Sequence, residues 1–262
     1  MGTGADVVGA AHRPFPYVDL GSMQTLYIVY LDRHHLGDDL FLKSLAQHFA
    51  ETDSGEPPCL LVHGSGEKVE RTLEAKGYFP ERTDGVLDVE TEEQRRLVER
   101  AVRETNQELV AALTDEVVST VGIQGVDRNL LGLDADGAVT ATNVGWLAAL
   151  IKQRVVPVVS ALVEGEEGPR ELWAADVAVA LAEGLSASFD PVVCTLTTGD
   201  QPGVVDATGR REEMSLDALP EDAVPDPAAI RRLHEAGASV LVTNLQGLLT
   251  GDAPTGTRIV AK

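Results

Sequence analysis

Cys59-Leu60-Leu61-Val62-His63-Gly64-Ser65-Gly66-Glu67 is a short apolar run that stops at His-Gly-Ser-Gly and passes at once into a helical pattern. Such a run is a strand feeding a glycine loop at a helix N-terminus. Glycine lets the backbone approach a ligand closely with unrestricted φ, and the first N–H groups of a helix lack intrahelical partners and lie at its positive end. The loop is therefore a candidate for holding an anion. A strand-to-helix turn also needs glycine for packing in many α/β proteins, so the stretch alone leaves both readings open.

Strand and helix patterns alternate on either side of it. Thr25–Leu31 reads as a strand, residues 38–50 as a helix, Cys59–His63 as a strand and residues 67–76 as a helix. This alternation predicts a mainly parallel sheet with helices on both faces. Residues 91–116 read as a long amphipathic helix with Leu97, Val98, Ala101, Val102, Leu109 and Leu113 on its buried side, and Thr91 with Gln94 fits a capping box. Residues 117–123 form the next strand, followed by a small hairpin ending near Thr140, a helix over 144–153, a strand over 155–160 and a short β piece over 170–173. The remainder reads as a helix over 175–185, a strand over 192–197, a hairpin arm over 203–205, a helix over 227–236 and strands over 239–243 and 258–260.

Composition narrows the function classes. The 262 residues, 44% hydrophobic, suffice for one large α/β domain or two closely joined lobes. Acidic residues outnumber basic ones 42 to 21, a formal net charge of −21, and no Lys/Arg cluster offers itself to phosphates, which argues against nucleic-acid or anionic-membrane partners. The basic residues are 16 Arg and only 5 Lys. An acidic, lysine-poor surface is that expected of a halophilic protein working in high salt. Cys59 and Cys194 sit in apolar strand-like runs, which points to buried free thiols and a reducing cytoplasm. Residues 1–24 read as an irregular extension without a leader pattern, and no apolar run approaches the roughly 18 residues of a membrane span.

The ordered pieces resemble the amino acid kinase family, and within it the N-acetylglutamate kinase branch. They are Leu61 to Gly66, Val121-Gly122-Ile123-Gln124-Gly125-Val126-Asp127, Val144-Gly145-Trp146, Val156 to Ser160, Ala175-Asp176-Val177-Ala178, Gly203-Val204-Val205-Asp206 and Gly256 to Val260. The resemblance implies an open αβα sandwich over residues 25–262, with an acyl-amino-acid lobe at 25–165 and a nucleotide lobe at 166–262. It implies transfer of the ATP γ-phosphoryl group, with Mg²⁺, to the side-chain carboxylate of an N-acylglutamate in arginine biosynthesis. Phosphoryl transfer is mostly positioning and charge neutralisation, so N–H donors from His63, Gly64, Ser65 and Gly66 suit the transferred group. Gly85 and Asp88 fall where the substrate is held, and Thr197, Thr198, Gly203 and Val205 where the nucleotide is held. Thr197 and Thr198 read equally well as a polar turn. The resemblance assigns no protein metal ligands, and it implies pairing through the 91–116 helix, as a homodimer or with a related kinase.

The family's positive clamps are missing. Tyr30 stands where these kinases carry a lysine, Asp32 and Arg33 replace the glycines after it, and no lysine precedes Lys43. A second lysine is expected near Pro225–Ala229, yet none lies between Lys152 and Lys262. Asp88 takes the place of the substrate-binding arginine, and Leu172 and Ala174 the places of two asparagines. Asp176, the family's organising carboxylate, persists; without lysines to orient, it also reads as an acid in a helix's first turn, stabilised there by roughly 0.3–1 kcal/mol. Arg33, Lys68, Arg231 and Arg232 are the available substitutes, and His34 and His35 read as exposed loop residues. Two functions follow from these residues: an acylglutamate kinase with activity impaired or lost, or a non-catalytic ligand-binding or regulatory pseudokinase.

Overall fold

The computed structural model describes residues 23–52, 57–83, 85–165, 168–206, 209–248 and 254–261. The expected N-terminal extension lies outside them as far as residue 22. The first half of the chain runs β1 (Thr25–Leu31), α1 (Arg33–Leu36), α2 (Asp39–Glu51), β2 (Cys59–His63), α3 (Lys68–Glu74), β3 (Arg82–Thr83), β4 (Val86–Leu87), α4 (Glu92–Asp115) and β5 (Thr120–Gln124). There follow β6 (Leu131–Leu133), β7 (Val139–Ala141), α5 (Gly145–Lys152), β8 (Val156–Ser160), β9 (Leu162–Gly165), β10 (Gly168–Glu171), α6 (Ala174–Leu185) and β11 (Asp190–Leu196). The chain closes with β12 (Val205–Asp206), β13 (Gly209–Arg210), β14 (Glu213–Ser215), α7 (Pro227–Glu235), β15 (Val240–Thr243), α8 (Leu245–Leu248) and β16 (Thr257–Val260).

Eight strands form one sheet in the order β14-β16-β15-β11-β1-β2-β8-β5, parallel throughout except where β15 meets β16. β1 lies between β2 and β11, so the central ladders join the two parts of the chain directly. Along β1, Leu26, Ile28 and Tyr30 enter one core and Tyr27, Val29 and Leu31 the other. Successive strand residues face opposite sides, and burial on both is what a helix-covered parallel strand requires. Val177, Leu181, Ile230 and Leu233 bring α6 and α7 to the first face, while Leu45, Phe49, Leu109 and Leu113 bring α2 and α4 to the second. The sandwich read from the sequence is the fold observed.

Local chemistry sets the element ends. Thr91 Oγ1 accepts from Gln94 N–H and the Gln94 side chain accepts from Thr91 N–H, the reciprocal capping box expected of α4. Buried Gln94, Thr105 and Asn106 share the inner side of α4 with its apolar residues, a polar component that apolar periodicity does not disclose. The strand expected from Val117 begins only at Thr120. Val117 has φ +64°, its N–H reaches Thr114 O, and Val118 N–H reaches Leu113 O. That is the hydrogen-bond pattern of a Schellman helix end, formed here around valine where glycine is usual. Where a lobe boundary was expected, near residues 164–171, β9 and β10 form a hairpin with Glu171 opposite Leu162. Cys59 and Cys194 are free and buried, and burial pushes the Cys59 thiol up to about 12.

Candidate functional site

The C-terminal ends of β1 and β2 open into a cleft of about 550 Å³ whose walls come from the β1–α1 turn, the glycine loop, Arg82 with Gly85, Glu171 with Trp173, and the segment before α7. In parallel α/β sheets the crevice outside the strand C-termini is where ligands bind.

The glycine loop is built from beneath by His63. Its ring Nδ1 lies 2.8 Å from Gly64 O and its Nε2 lies 3.0 Å from Asn106 Nδ2. A carbonyl only accepts, so Nδ1 carries the proton and Nε2 accepts from the amide. Burial holds the imidazole pKa down at about 4 and the ring neutral. His63 thus braces the loop and does not line the cleft, whereas Gly64, Ser65 and Gly66 do. The helix that follows is shorter than expected, Lys68–Glu74, and its cap residue Glu67 makes no side-chain cap hydrogen bond. Among the described residues the loop's charged partner is internal: Ser65 N–H donates to Glu171 Oε1 at 2.6 Å.

At the end of β1, buried Asp32 caps α1 by accepting from His34 N–H and His35 N–H, and its other oxygen is 2.7 Å from His35 Nδ1. His34 is exposed as expected, but His35 is buried because that carboxylate draws it in. Tyr30 Oη donates to Asp226 Oδ2 at 2.7 Å, while Asp226 Oδ1 accepts from Ala229 N–H and caps α7. Burial and the adjacent Asp226 carboxylate keep the Tyr30 phenol well above its ordinary pKa, so it remains a donor.

The cations available as substitutes are each turned to a carboxylate. Arg33 and Arg82 approach the same Glu70 oxygen at 3.7 and 3.0 Å, and Arg82 also donates to Gly85 O. Lys68 pairs with Glu108, Arg231 with Glu221, and Arg232 with Asp176 at 2.6 Å. Asp176 stands in the first turn of α6, beyond the cleft lining.

Of the other candidates, Gly85 and Thr198 line the cleft with the glycine loop. Gly85 has φ +74° and packs so closely on Trp173 that a Cβ would lie 2.2 Å from its ring. Asp88 is exposed, accepts from Thr83 Oγ1 at 2.7 Å and borders a second cleft of about 900 Å³ that, among the described residues, shares only Glu171 with the first. Thr197 is buried, with its N–H on Thr243 O. Gly203 packs on Thr257, where a Cβ would lie 2.6 Å from Oγ1, and Val205 is exposed on β12. The structure therefore gathers Gly64, Ser65, Gly66, Gly85 and Thr198, and leaves His63, Asp88, Asp176, Thr197, Gly203 and Val205 off that cleft's lining. Glu171, Trp173 and Asp226 were not singled out from the sequence; each reaches the cleft through contacts distant along the chain.

A profile described as amino acid kinase family matches residues 31–244. The chain belongs to that family. Family relatives include the acetylglutamate kinase of Methanopyrus kandleri, 30% identical over 73% of this chain and 88% of its own, and that of Roseiflexus castenholzii, 28% identical over 92% and 96%. Among solved structures, the N-acetylglutamate synthase of Neisseria gonorrhoeae complexed with coenzyme A and N-acetyl-glutamate superposes with a TM-score of 0.64 at 20% identity, over 91% of this chain and 60% of that one. An isopentenyl phosphate kinase superposes at 0.58 and 16% identity, over 90% and 100%.

Family membership implies ATP, with Mg²⁺ its usual companion. The cleft does not fit a triphosphate well. Asp32, Glu67, Glu171, Asp222 and Asp226 line it against Arg33 and Arg82, both directed at Glu70, and the Ser65 N–H is already bonded to a carboxylate. Among the described residues no group of three His, Cys, Asp or Glu side chains is placed to hold a metal ion, and no helix is long and apolar enough to cross a membrane.

Proposed function

We propose that this chain is an acetylglutamate-kinase-like member of the family, descended from enzymes that pass the ATP γ-phosphoryl group to the side-chain carboxylate of an N-acylglutamate, with that activity impaired or lost. The observation that carries the reading is the Tyr30–Asp226 hydrogen bond. It links the position of the first family lysine to the neighbourhood of the second, with a neutral phenol and a carboxylate in place of two cations. The Asp176–Arg232 pair supports it, since the organising carboxylate is engaged away from the cleft. Removing one preorganised charge-stabilising group typically lowers a rate by about 10²–10³, and losses within one constellation do not add. The loss of two lysines, the glycines after β1 and a substrate arginine together leaves little phosphotransfer.

The reading places the protein in the cytoplasm, in the context of arginine biosynthesis, with an acidic surface suited to high salt. Formation of acyl phosphate from ATP with N-acetylglutamate or N-succinylglutamate, measured beside the Methanopyrus kandleri relative, tests it. Rates at background are expected; rates comparable to the relative's overturn it.

A further inference from the structure

The glycine loop already holds an anion, and it is the chain's own. Ser65 N–H donates to Glu171 Oε1 at 2.6 Å. A Cβ on Gly64 would lie 2.6 Å from the same oxygen, so glycine at 64 is what admits the carboxylate. Glu171 is delivered by rigid elements. It is the last residue of β10, in register with Leu162 of β9. The base of that hairpin is tied to β2, because Leu172 N–H donates to Ala161 O and Ala161 N–H donates to His63 O.

The residue is 6% exposed, and its second carboxylate oxygen has no hydrogen-bond partner among the described residues. Burial pushes its carboxyl above the usual range, against the opposing pull of Arg82 and the Ser65 N–H. Arg82 does not neutralise it fully, being bonded to Glu70 and to Gly85 O. A carboxylate accepting a backbone N–H at this distance forms a short, charge-assisted hydrogen bond. A second anion at the loop has to displace it and then stand beside its charge, which burial leaves poorly screened, so that the two repel.

We propose that Glu171 is a specificity-determining residue: it fills the anion position of the glycine loop and bars phosphoryl groups from it. This deepens the reading of the loop as the wall of a phosphoryl-transfer cleft, and rests on it. The positive clamps are missing, and the Ser65 N–H, a neutral donor of the loop, is occupied from within.

Calorimetric titration of the full chain with inorganic pyrophosphate, at one pH and one salt concentration, tests the assignment on wild type, Glu171→Ala, Glu171→Gln and Asp222→Asn. Glu171→Ala is expected to bind about tenfold tighter than wild type or better, with Glu171→Gln in between because it keeps an acceptor but loses the charge. Asp222 is an exposed carboxylate of the same cleft, so Asp222→Asn reports the general effect of removing one negative charge. Its gain is expected to be much smaller. Folded Glu171 variants that bind no tighter than wild type overturn the assignment, as does a gain in Asp222→Asn equal to that in Glu171→Gln. If Glu171→Ala does not fold, Glu171→Gln decides alone. Kinase turnover by the wild type at a rate comparable to that of the Methanopyrus kandleri relative contradicts the reading of impaired or lost activity, whereas an unchanged titration without such turnover sinks only the role of Glu171.

Discussion

Tyr30 Oη and Asp226 Oδ2 are 2.7 Å apart, and this bond fastens the C-terminal end of β1 to the N-cap of α7. Removing the hydroxyl strips a carboxylate of its donor in a largely buried setting, a loss of about 1–3 kcal/mol. Tyr30→Phe is expected to lower the urea midpoint accordingly. Asp226→Ala is expected to lower it further, since the α7 cap adds about 0.5–2 kcal/mol. Equal stability of Tyr30→Phe and wild type would show that the contact contributes nothing.

His63 makes stability depend on acid. Its folded-state pKa of about 4 lies below the ordinary 6.5, so on acidification the unfolded chain takes up the proton first. Stability therefore falls as pH drops from about 6.5 to about 4, by roughly 3 kcal/mol in total from this group. Unfolding free energies across that window are expected to slope more steeply for wild type than for His63→Gln, whose side chain does not titrate. Parallel slopes contradict the neutral, buried imidazole.

Gly85→Ala places a methyl group against Trp173 in a backbone conformation that alanine avoids. A loss of about 1–3 kcal/mol is expected, accompanied by a change in tryptophan emission, since Trp173 is one of two tryptophans. Unaltered emission and midpoint together would place the ring elsewhere.

The charge of −21 is expected to make the fold salt-dependent. Self-repulsion between exposed carboxylates is screened as ionic strength rises. The melting temperature should climb from low to molar salt, and a flat profile counts against the high-salt reading.

How much of this was legible beforehand follows from the range of each interaction. Cys59–His63 and Thr25–Leu31 are strands with the bounds read from their apolar runs, and the α4 capping box is a contact between residues three apart. Signals of this kind are local, and a single sequence carries them. Val117 misled because a β-branched residue usually extends a strand, whereas the Schellman bonds to Leu113 and Thr114 force it into the left-handed region. The cleft depends on pairings that no local pattern encodes. Tyr30 and Asp226 are 196 residues apart and Ser65 and Glu171 are 106 apart. The absence of lysine marked Tyr30 and the region before Ala229 as altered, but not that the two bond to each other. Glu171 carried one faint sign, an acid within a short β piece leading into the motif that contains Asp176.

The loss of the positive clamps is tested most directly by a coupled assay of acyl-phosphate formation from ATP and N-acetylglutamate, run at low and at molar salt on wild type and Asp176→Ala. Both proteins are expected to stay at background in every condition. Turnover by the wild type that disappears in Asp176→Ala would contradict the central claim, because it would show that Asp176 still organises a working phosphotransfer site.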